Sequence, residues 1–492
     1  MNSRNALSLL TVPVLLALTG CTVGPNYTPP VTKAPEQWSE PLDSGITTAA
    51  SPASAWWTTF NDPTLTSLIT RAVAANHDLR LAEARVREVQ AQRGVVASQF
   101  GPAVDAAGDA NRSRRSENTA QGGQFGQPES NDFRGGFDMT WELDFWGRIR
   151  RSVESAEADI AAAVGDRDAA LVTLLGEVGR NYAELRGFQA RKQVTIKNIG
   201  VQQSALELTQ KRFDAGLTTE LDVQQASTQL SQTKATLPPL DNGVRRAIHR
   251  LGVLLGQSPG ALSQELSPDG PMLVATGEIP VGLPSDLLRR RPDIAAAERR
   301  IAAANAQIGV ATADLFPKFN LGGSLGLQSD RIGDFGDAAS RFWSIGPGFR
   351  WPILDWGRIR SNIRVQDSRT EQALIQFERT VLTSFEEVDN ALVDLTSERD
   401  RTASLRAAVE SSRRAVALAE QQYTSGLRDF LNVLTTQQSQ FLAEVQLVES
   451  EQRVSTSAIA LYKALGGGWD VNFTGPVADA ADAATGDTPR KP

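Results

Sequence analysis

Around residue 140 the chain alternates. Phe133, Phe137, Met139, Trp141 and Leu143 share one parity; Arg134, Gly136, Asp138, Thr140 and Glu142 share the other. A period of two predicts a β-strand. Phe319, Leu321, Leu325 and Leu327 repeat the pattern against Lys318, Asn320, Ser324 and Gln328. Trp343, Ile345, Phe349, Trp351 and Ile353 continue it. Residues 103–112 make a weaker fourth strand. The strands form two hairpins, connected through 113–132, which is polar and Gly-rich, and through 329–340.

Elsewhere the period is helical. Leu65, Leu68, Ile69, Val73, Leu79, Ala82 and Val86 predict one helix from Pro63 to about Gln99, ended by Gly101-Pro102. Residues 148–212 and 358–422 hold no proline and predict coiled-coil helices. At about 1.5 Å per residue, each would run on the order of 100 Å. Breaks at Asp214-Ala215-Gly216 and Thr424-Ser425-Gly426 precede return helices that end near Leu255 and Leu465. Pro238-Pro239 interrupts the first return helix.

The elements come in two sets. WELDFWGRIR (141–150) and WPILDWGRIR (351–360) share six of ten residues at an offset of 210. Gly216-Leu217 then aligns with Gly426-Leu427, and Leu255 with Leu465. Residues 78–102 match 293–317 at an offset of 215, with nine identities in 25. The period is too long for a solenoid. It points to two similar halves about a pseudo-symmetry axis.

Alternating strands fit a half-buried soluble sheet or a lipid-facing barrel with a wet interior. The Asp, Glu, Arg, Lys and Asn on the polar parity favour the barrel. Strands of about ten residues cross a bilayer at a tilt. Four strands cannot close around a wide pore, and open edges in lipid are prohibitive. Three copies would supply twelve strands, and the two halves of each would give approximate sixfold symmetry. The expected fold class is an α+β membrane protein: a trimeric 12-stranded antiparallel barrel, four strands per chain, continued by an α-helical barrel.

Composition narrows the partners. In 492 residues, 50 basic and 57 acidic side chains give a net charge of −7, which leaves no footprint for nucleic acid. The one cysteine, Cys21, follows a short apolar run at 6–18 behind Arg4, the form of a secretory signal. Leu18-Thr19-Gly20-Cys21 resembles the bacterial lipoprotein box, which implies cleavage before Cys21 and diacylglyceryl and N-acyl groups on it. Thr22 in place of aspartate implies the outer membrane. The two histidines, His77 and His249, lack metal-ligand spacing, and neither a nucleophile elbow nor a phosphate loop occurs. No enzyme, metal or cofactor is expected.

The chain thus divides into a signal peptide (1–20), a lipid-anchored extended segment (21–62), a first half (63–256), a connector (257–283), a second half (284–470) and a disordered tail (471–492). Trp141, Trp146, Trp351 and Trp356 sit at strand-to-helix junctions and read as interfacial anchors or barrel-neck packing.

Several segments carry a family resemblance: CTVGPNYTPP, AWWTTFNDPTLTSLI, LRRRPDIAAAERRIAAANAQIGVATADLFPKFNL, EEVDNALVDL (386–395) and the paired Trp-Gly-Arg-Ile-Arg motifs. They resemble the outer-membrane efflux (TolC-like) family, in its NodT-like branch of lipoprotein channels serving tripartite RND-type drug pumps. The resemblance implies a homotrimer in the outer membrane of a Gram-negative cell, with a large periplasmic part. The implied partners are outer-membrane lipid, a periplasmic adaptor and an inner-membrane RND pump. It places the turns at Gly216, Leu217, Gly426 and Leu427 at a periplasmic tip that meets the adaptor. It assigns a gate to Asp222, Tyr423 and Arg428. It also puts Asn432 and Thr435 where the family pattern carries aspartate rings, so that acidic ring is missing. The leading function is a passive exit duct for small toxic compounds or drugs. The alternatives are a duct for a secreted protein or peptide, and a lipid-anchored coiled-coil scaffold without a pore.

Overall fold

The structure is a computed structural model that describes residues 22–42, 45–49, 53–114, 116, 129–275 and 278–469. Cys21, the signal segment and the tail lie outside the described residues. The chain clusters into two units. Among the described residues, the first holds 22–31, 85–114, 116, 129–164 and 296–378; the rest form the second.

The first unit carries four strands: β1 (Ala103–Arg114), β2 (Glu129–Leu143), β3 (Lys318–Ser329) and β4 (Arg341–Arg350). They form one sheet in chain order, antiparallel throughout. Ala103 opposes Thr140, Phe133 opposes Ser329 and Lys318 opposes Arg350. The outer edges of β1 and β4 have no strand partner among the described residues.

No residue in these strands is buried. Phe137, Leu325, Trp343, Ile345 and Phe349 stand exposed on one face, with Asp138, Ser324 and Ser344 on the other. A soluble half-buried sheet would cover its apolar row. Here that row is bare, which favours the lipid-facing alternative.

β4 stops at Arg350, although alternation predicted strand through Trp351 and Ile353. The pairing ladder explains this. β3 begins at Lys318, opposite Arg350, so residues beyond have no partner on that side. Pro352 also lacks an N–H to donate. β2 runs on to Leu143, its last three residues held by β3 alone.

The expected helix over 63–99 is two helices: α1 (Pro63–Ala75) and α2 (His77–Ala97). Asn76 divides them. Its N–H donates to Ala72 O (2.9 Å) and its Nδ2 to Leu254 O (2.8 Å). Its Oδ1 accepts from Leu79 N (3.0 Å), so one buried side chain serves two helix ends. Apolar spacing runs unbroken across this joint and hides it.

The long helices are α3 (Arg148–Asp214) and α7 (Arg358–Thr424), each of 67 residues. Between and after them come α4 (Glu220–Ala235), α5 (Leu237–Leu254), α6 (Pro292–Ala313) and α8 (Phe430–Ala464). The first return helix is split at Thr236, just before Pro238, where proline suits a helix start. No helix among the described residues is long and apolar enough to cross a membrane.

The second unit contains the main apolar core. The AWWTTFNDP segment builds its centre. Trp56 is buried and stacks on Tyr462 with ring centroids 5.6 Å apart. Asp62 caps α1 through Leu65 N (2.9 Å) and accepts from Tyr182 Oη (2.9 Å). Arg186 in turn donates to Tyr182 Oη, Gln189 Oε1 and Pro268 O. Helix, cap and connector are thereby tied together. The connector also adds a two-residue parallel bridge, Ile46–Thr47 with Ile279–Pro280.

Two glycines of α3 separate packing from helix propensity. A Cβ at Gly179 would lie 2.7 Å from the Trp56 ring, whereas one at Gly200 meets nothing within 4 Å. Gly179→Ala should destabilise by about 1–3 kcal/mol through overpacking. Gly200→Ala should stabilise by about 0.5–1 kcal/mol through helix propensity. Thermal melts of the two variants should move in opposite directions; parallel shifts would reject the Trp56 contact as the cause.

Candidate gate at the helical-hairpin tip

Both long helices end the same way. Leu217 N donates to Arg212 O (2.8 Å) and Gly216 N to Phe213 O (2.8 Å). Leu427 N donates to Gln422 O (2.9 Å) and Gly426 N to Tyr423 O (3.0 Å). This is the double bond of a Schellman cap. It requires a left-handed residue, and both glycines have φ +72°. Leu217 and Leu427 follow, exposed, with Leu221 and Leu431 exposed beside them.

Four helices meet behind these turns. Ala226, Ala419, Tyr423, Phe430 and Val433 form a small buried cluster, with Leu206 and Leu434 against it. Tyr423 is its centre, 5% exposed. The Arg212 guanidinium lies 4.6 Å from the Tyr423 ring centroid, a cation–π contact, and also donates to Tyr423 O (3.4 Å). Among the described residues, Tyr423 Oη and Arg212 Nε have no hydrogen-bond partner.

The expected gate trio does not assemble within one chain. Asp222 is the third residue of α4 and faces back to the helix start. It accepts from Thr219 N (3.2 Å), the Thr219 hydroxyl (3.1 Å) and the Thr218 hydroxyl. Partial burial pushes its pKa up, but the Thr218 and Thr219 donors outweigh it, and the net shift is downward. A depressed carboxylate stabilises the fold above the unfolded-state pKa. That contribution is lost as pH falls through the lowered value. The cap is therefore intact at neutral pH.

Arg428 is exposed and makes no hydrogen bond or ion pair among the described residues. Asn432 Nδ2 donates to Asp429 Oδ1 at the N-cap of α8. Thr435 turns its hydroxyl back onto Leu431 O (2.9 Å) and Asn432 O (3.2 Å), and both side chains are exposed. Thus the first half places Thr219 at the cap and Asp222 at its third residue. The second half reverses the order, with Asp429 and Asn432. There the two side chains bond each other rather than the helix start, so the divergence at this turn is a change of local hydrogen bonding.

The junction aromatics divide into two pairs. Trp141 Nε1 donates to Phe100 O (2.8 Å), and Trp351 Nε1 to Leu315 O (3.0 Å). Trp146 stacks on Phe316 at 4.5 Å and donates to Pro317 O (2.9 Å). Trp356 does neither; it is 91% exposed with φ +54°. Beside Trp146 the segment after Cys21 is strapped down. Val23 N donates to Trp146 O (3.1 Å), and Arg151 holds Val23 O (3.1 Å) and Asn26 Oδ1 (2.8 Å). Gly24 rests on Gly309 so closely that a Cβ would lie 2.4 Å from its Cα. The extended segment is a docked strap over these residues.

Sequence reasoning missed Arg212, Arg151 and Gly309. Arg212 left a signal: its counterpart at offset 210 is Gln422, so it differs between halves as Asp222 does. Arg151 differs likewise from its counterpart Ser361, whereas Gly309 matches Gly94 and left no signal.

Comparison with known proteins agrees with this architecture. The profile of the outer membrane efflux protein family matches residues 68–257 and 283–467. The chain is 32% identical over 470 residues to nodulation protein T of Rhizobium leguminosarum bv. trifolii, covering 94% of this chain and 97% of that one. It is 31% identical over 459 residues to outer membrane protein OprJ of Pseudomonas aeruginosa, covering 93% and 95%. The solved structure of the outer-membrane channel OprN superposes with a TM-score of 0.85 at 37% identity, over 91% of this chain and 100% of that one. The chain belongs to the outer membrane efflux protein family, and it is a channel subunit rather than an enzyme.

Proposed function

We propose that three copies of this chain close a twelve-stranded barrel in the outer membrane of a Gram-negative cell. The trimer serves as the passive exit duct of a tripartite efflux pump. The observation that carries this reading is the open four-stranded sheet, whose apolar face and two edges are bare among the described residues. Each unpaired backbone group in hydrocarbon costs several kcal/mol, so closure across copies is the way to satisfy them. The matching helix lengths, Schellman caps and strand registers of the two halves support descent from one duplicated unit. Two halves in each of three copies approximate sixfold symmetry.

The exposed leucines at both tip turns, Leu217, Leu221, Leu427 and Leu431, supply an apolar surface for a periplasmic adaptor. The adaptor couples the duct to an inner-membrane RND-type pump, which supplies the energy. The cargo is small toxic compounds. Relatives in Pseudomonas putida that are named for antibiotic, solvent and toluene efflux support that class. Cys21 carries the lipid anchor, and the strap from Thr22 to Tyr27 holds its neighbour at the Trp146-Gly147 turn.

The gate acts at the tip in two layers. Within each chain, Arg212 over Tyr423 clamps the two helical hairpins together. Between copies, Asp222 and Arg428 face one another across the pore, since neither meets the other within a chain.

Loss of the chain should sensitise cells to a toxic-compound panel; an unchanged panel would reject efflux. Labelling with a fatty acid should mark the wild type and not Cys21→Ser; equal label would reject the anchor. In planar bilayers, Arg212→Ala and the Asp222→Ala, Arg428→Ala double variant should each raise single-channel conductance. A cation–π contact of about 0.5–2 kcal/mol sets the scale of the Arg212 effect. Unchanged conductance in either variant would remove that layer from the gate.

A further inference from the structure

The two halves are superposable by number. β1 and β3 each have 12 residues and are related by an offset of 215. β2 and β4 follow the offset of 210 set by their Trp-Gly-Arg-Ile-Arg turns. Hairpin register obeys both: Ala103 opposes Thr140, and Lys318 opposes Arg350. So do the Trp141 and Trp351 bonds to Phe100 O and Leu315 O. The two offsets therefore carry contacts as well as sequence.

The chain also contains one junction between halves, the pairing of β2 with β3. There Phe133 opposes Ser329, Arg134 opposes Gln328 and Thr140 opposes Gly322. Applying the same offsets to this junction leads out of the chain, from β4 to the β1 of another copy.

We infer that β4 pairs with β1 of a neighbouring copy in one definite register. Trp343 lies opposite Arg114, Ser344 opposite Ser113, and Arg350 opposite Ala107. This rests on the reading that copies of the chain close a ring. It adds which residues meet. The register keeps Ser344 and Ser113 on the polar face with Asp138 and Ser324, and Trp343 and Ile345 on the apolar face. A slip of one residue would reverse the faces along the whole seam. Slips of two would not, and only the internal junction excludes them. The same mapping carries the bare Trp356 to the Gly101-Pro102 turn of the neighbouring copy, as Trp146 reaches Phe316 and Pro317 within the chain.

Cysteine cross-linking of the full-length protein in outer membranes tests the register. Directly opposed Cα atoms lie about 4.5 or 5.5 Å apart, alternating along the strands. A disulfide needs about 4.4–6.8 Å. Diagonal neighbours lie about 7–8 Å apart. On oxidation, Ser344→Cys with Ser113→Cys should lose its monomer band to covalent dimers and trimers on a heated, non-reducing gel. Ile345→Cys with Arg112→Cys should behave alike, and covers the case in which the first pair does not assemble. Each single variant, and Ser113→Cys with Phe342→Cys or with Gly346→Cys, should remain monomeric. Cross-linking of an offset pair in place of the opposed ones, or of no pair in a protein that light scattering shows to be trimeric, overturns the register. A monomer by light scattering overturns the ring itself.

Discussion

The backbone hydrogen bonds at the two edges of a four-stranded sheet govern this molecule. Each strand carries donors and acceptors that water would satisfy and hydrocarbon would not. Inner strands β2 and β3 settle theirs on both sides. β1 and β4 settle only half. The consequence is already visible in strand length. β2 runs to Leu143, while β4 frays at Arg350 although its sequence continues to alternate. The proposed closure across copies would complete both edges, and it would set the bare apolar row of Phe137, Leu325, Trp343 and Phe349 against lipid.

The tip obeys a different rule. There the backbone finds partners within the chain, through two Schellman caps and the Asp222 bond to Thr219 N at the start of α4. What holds the hairpins together is modest: five buried side chains and one guanidinium over one ring. A Tyr423 hydroxyl and an Arg212 nitrogen remain without hydrogen-bond partners among the described residues. Such groups cost stability where they stand. A junction that loosens at modest cost suits an element that opens. The apolar core around Trp56 and Tyr462 is larger, and Asp62, Tyr182 and Arg186 bond through it.

Most of the fold was legible because periodicity records burial and pairing directly. The four strands, the two 67-residue helices and the glycine turns all follow from it. Asn76 was not legible, because its effect comes from bonding Leu254 O, 178 residues away, while the apolar spacing around it stays helical. The strap contacts of Arg151 and Gly309 escaped for the same reason. The tip was legible as a place, not as a set of contacts. Position along the chain brought Asp222, Tyr423 and Arg428 to one tip. Whether their side chains meet depends on competition from Thr218 and Thr219, which periodicity does not weigh.

Divergence between the halves thus needs a local account before a functional one. At the tip turn, Asp222 against Asn432 first reads as a difference in pore chemistry. With Thr219 against Asp429 beside it, the change moves the carboxylate by three residues, from accepting Thr219 N to accepting the Asn432 amide. Only the first arrangement answers an unpaired N–H of a helix start; at α8 the two side chains bond each other. Arg212 against Gln422 admits no such account. Glutamine holds no charge to place over a ring, and Tyr423 has only Phe213 as its own counterpart. The clamp therefore exists once per chain rather than twice. Of the differences at the tip, this is the one that makes the two halves unequal in how firmly they are held.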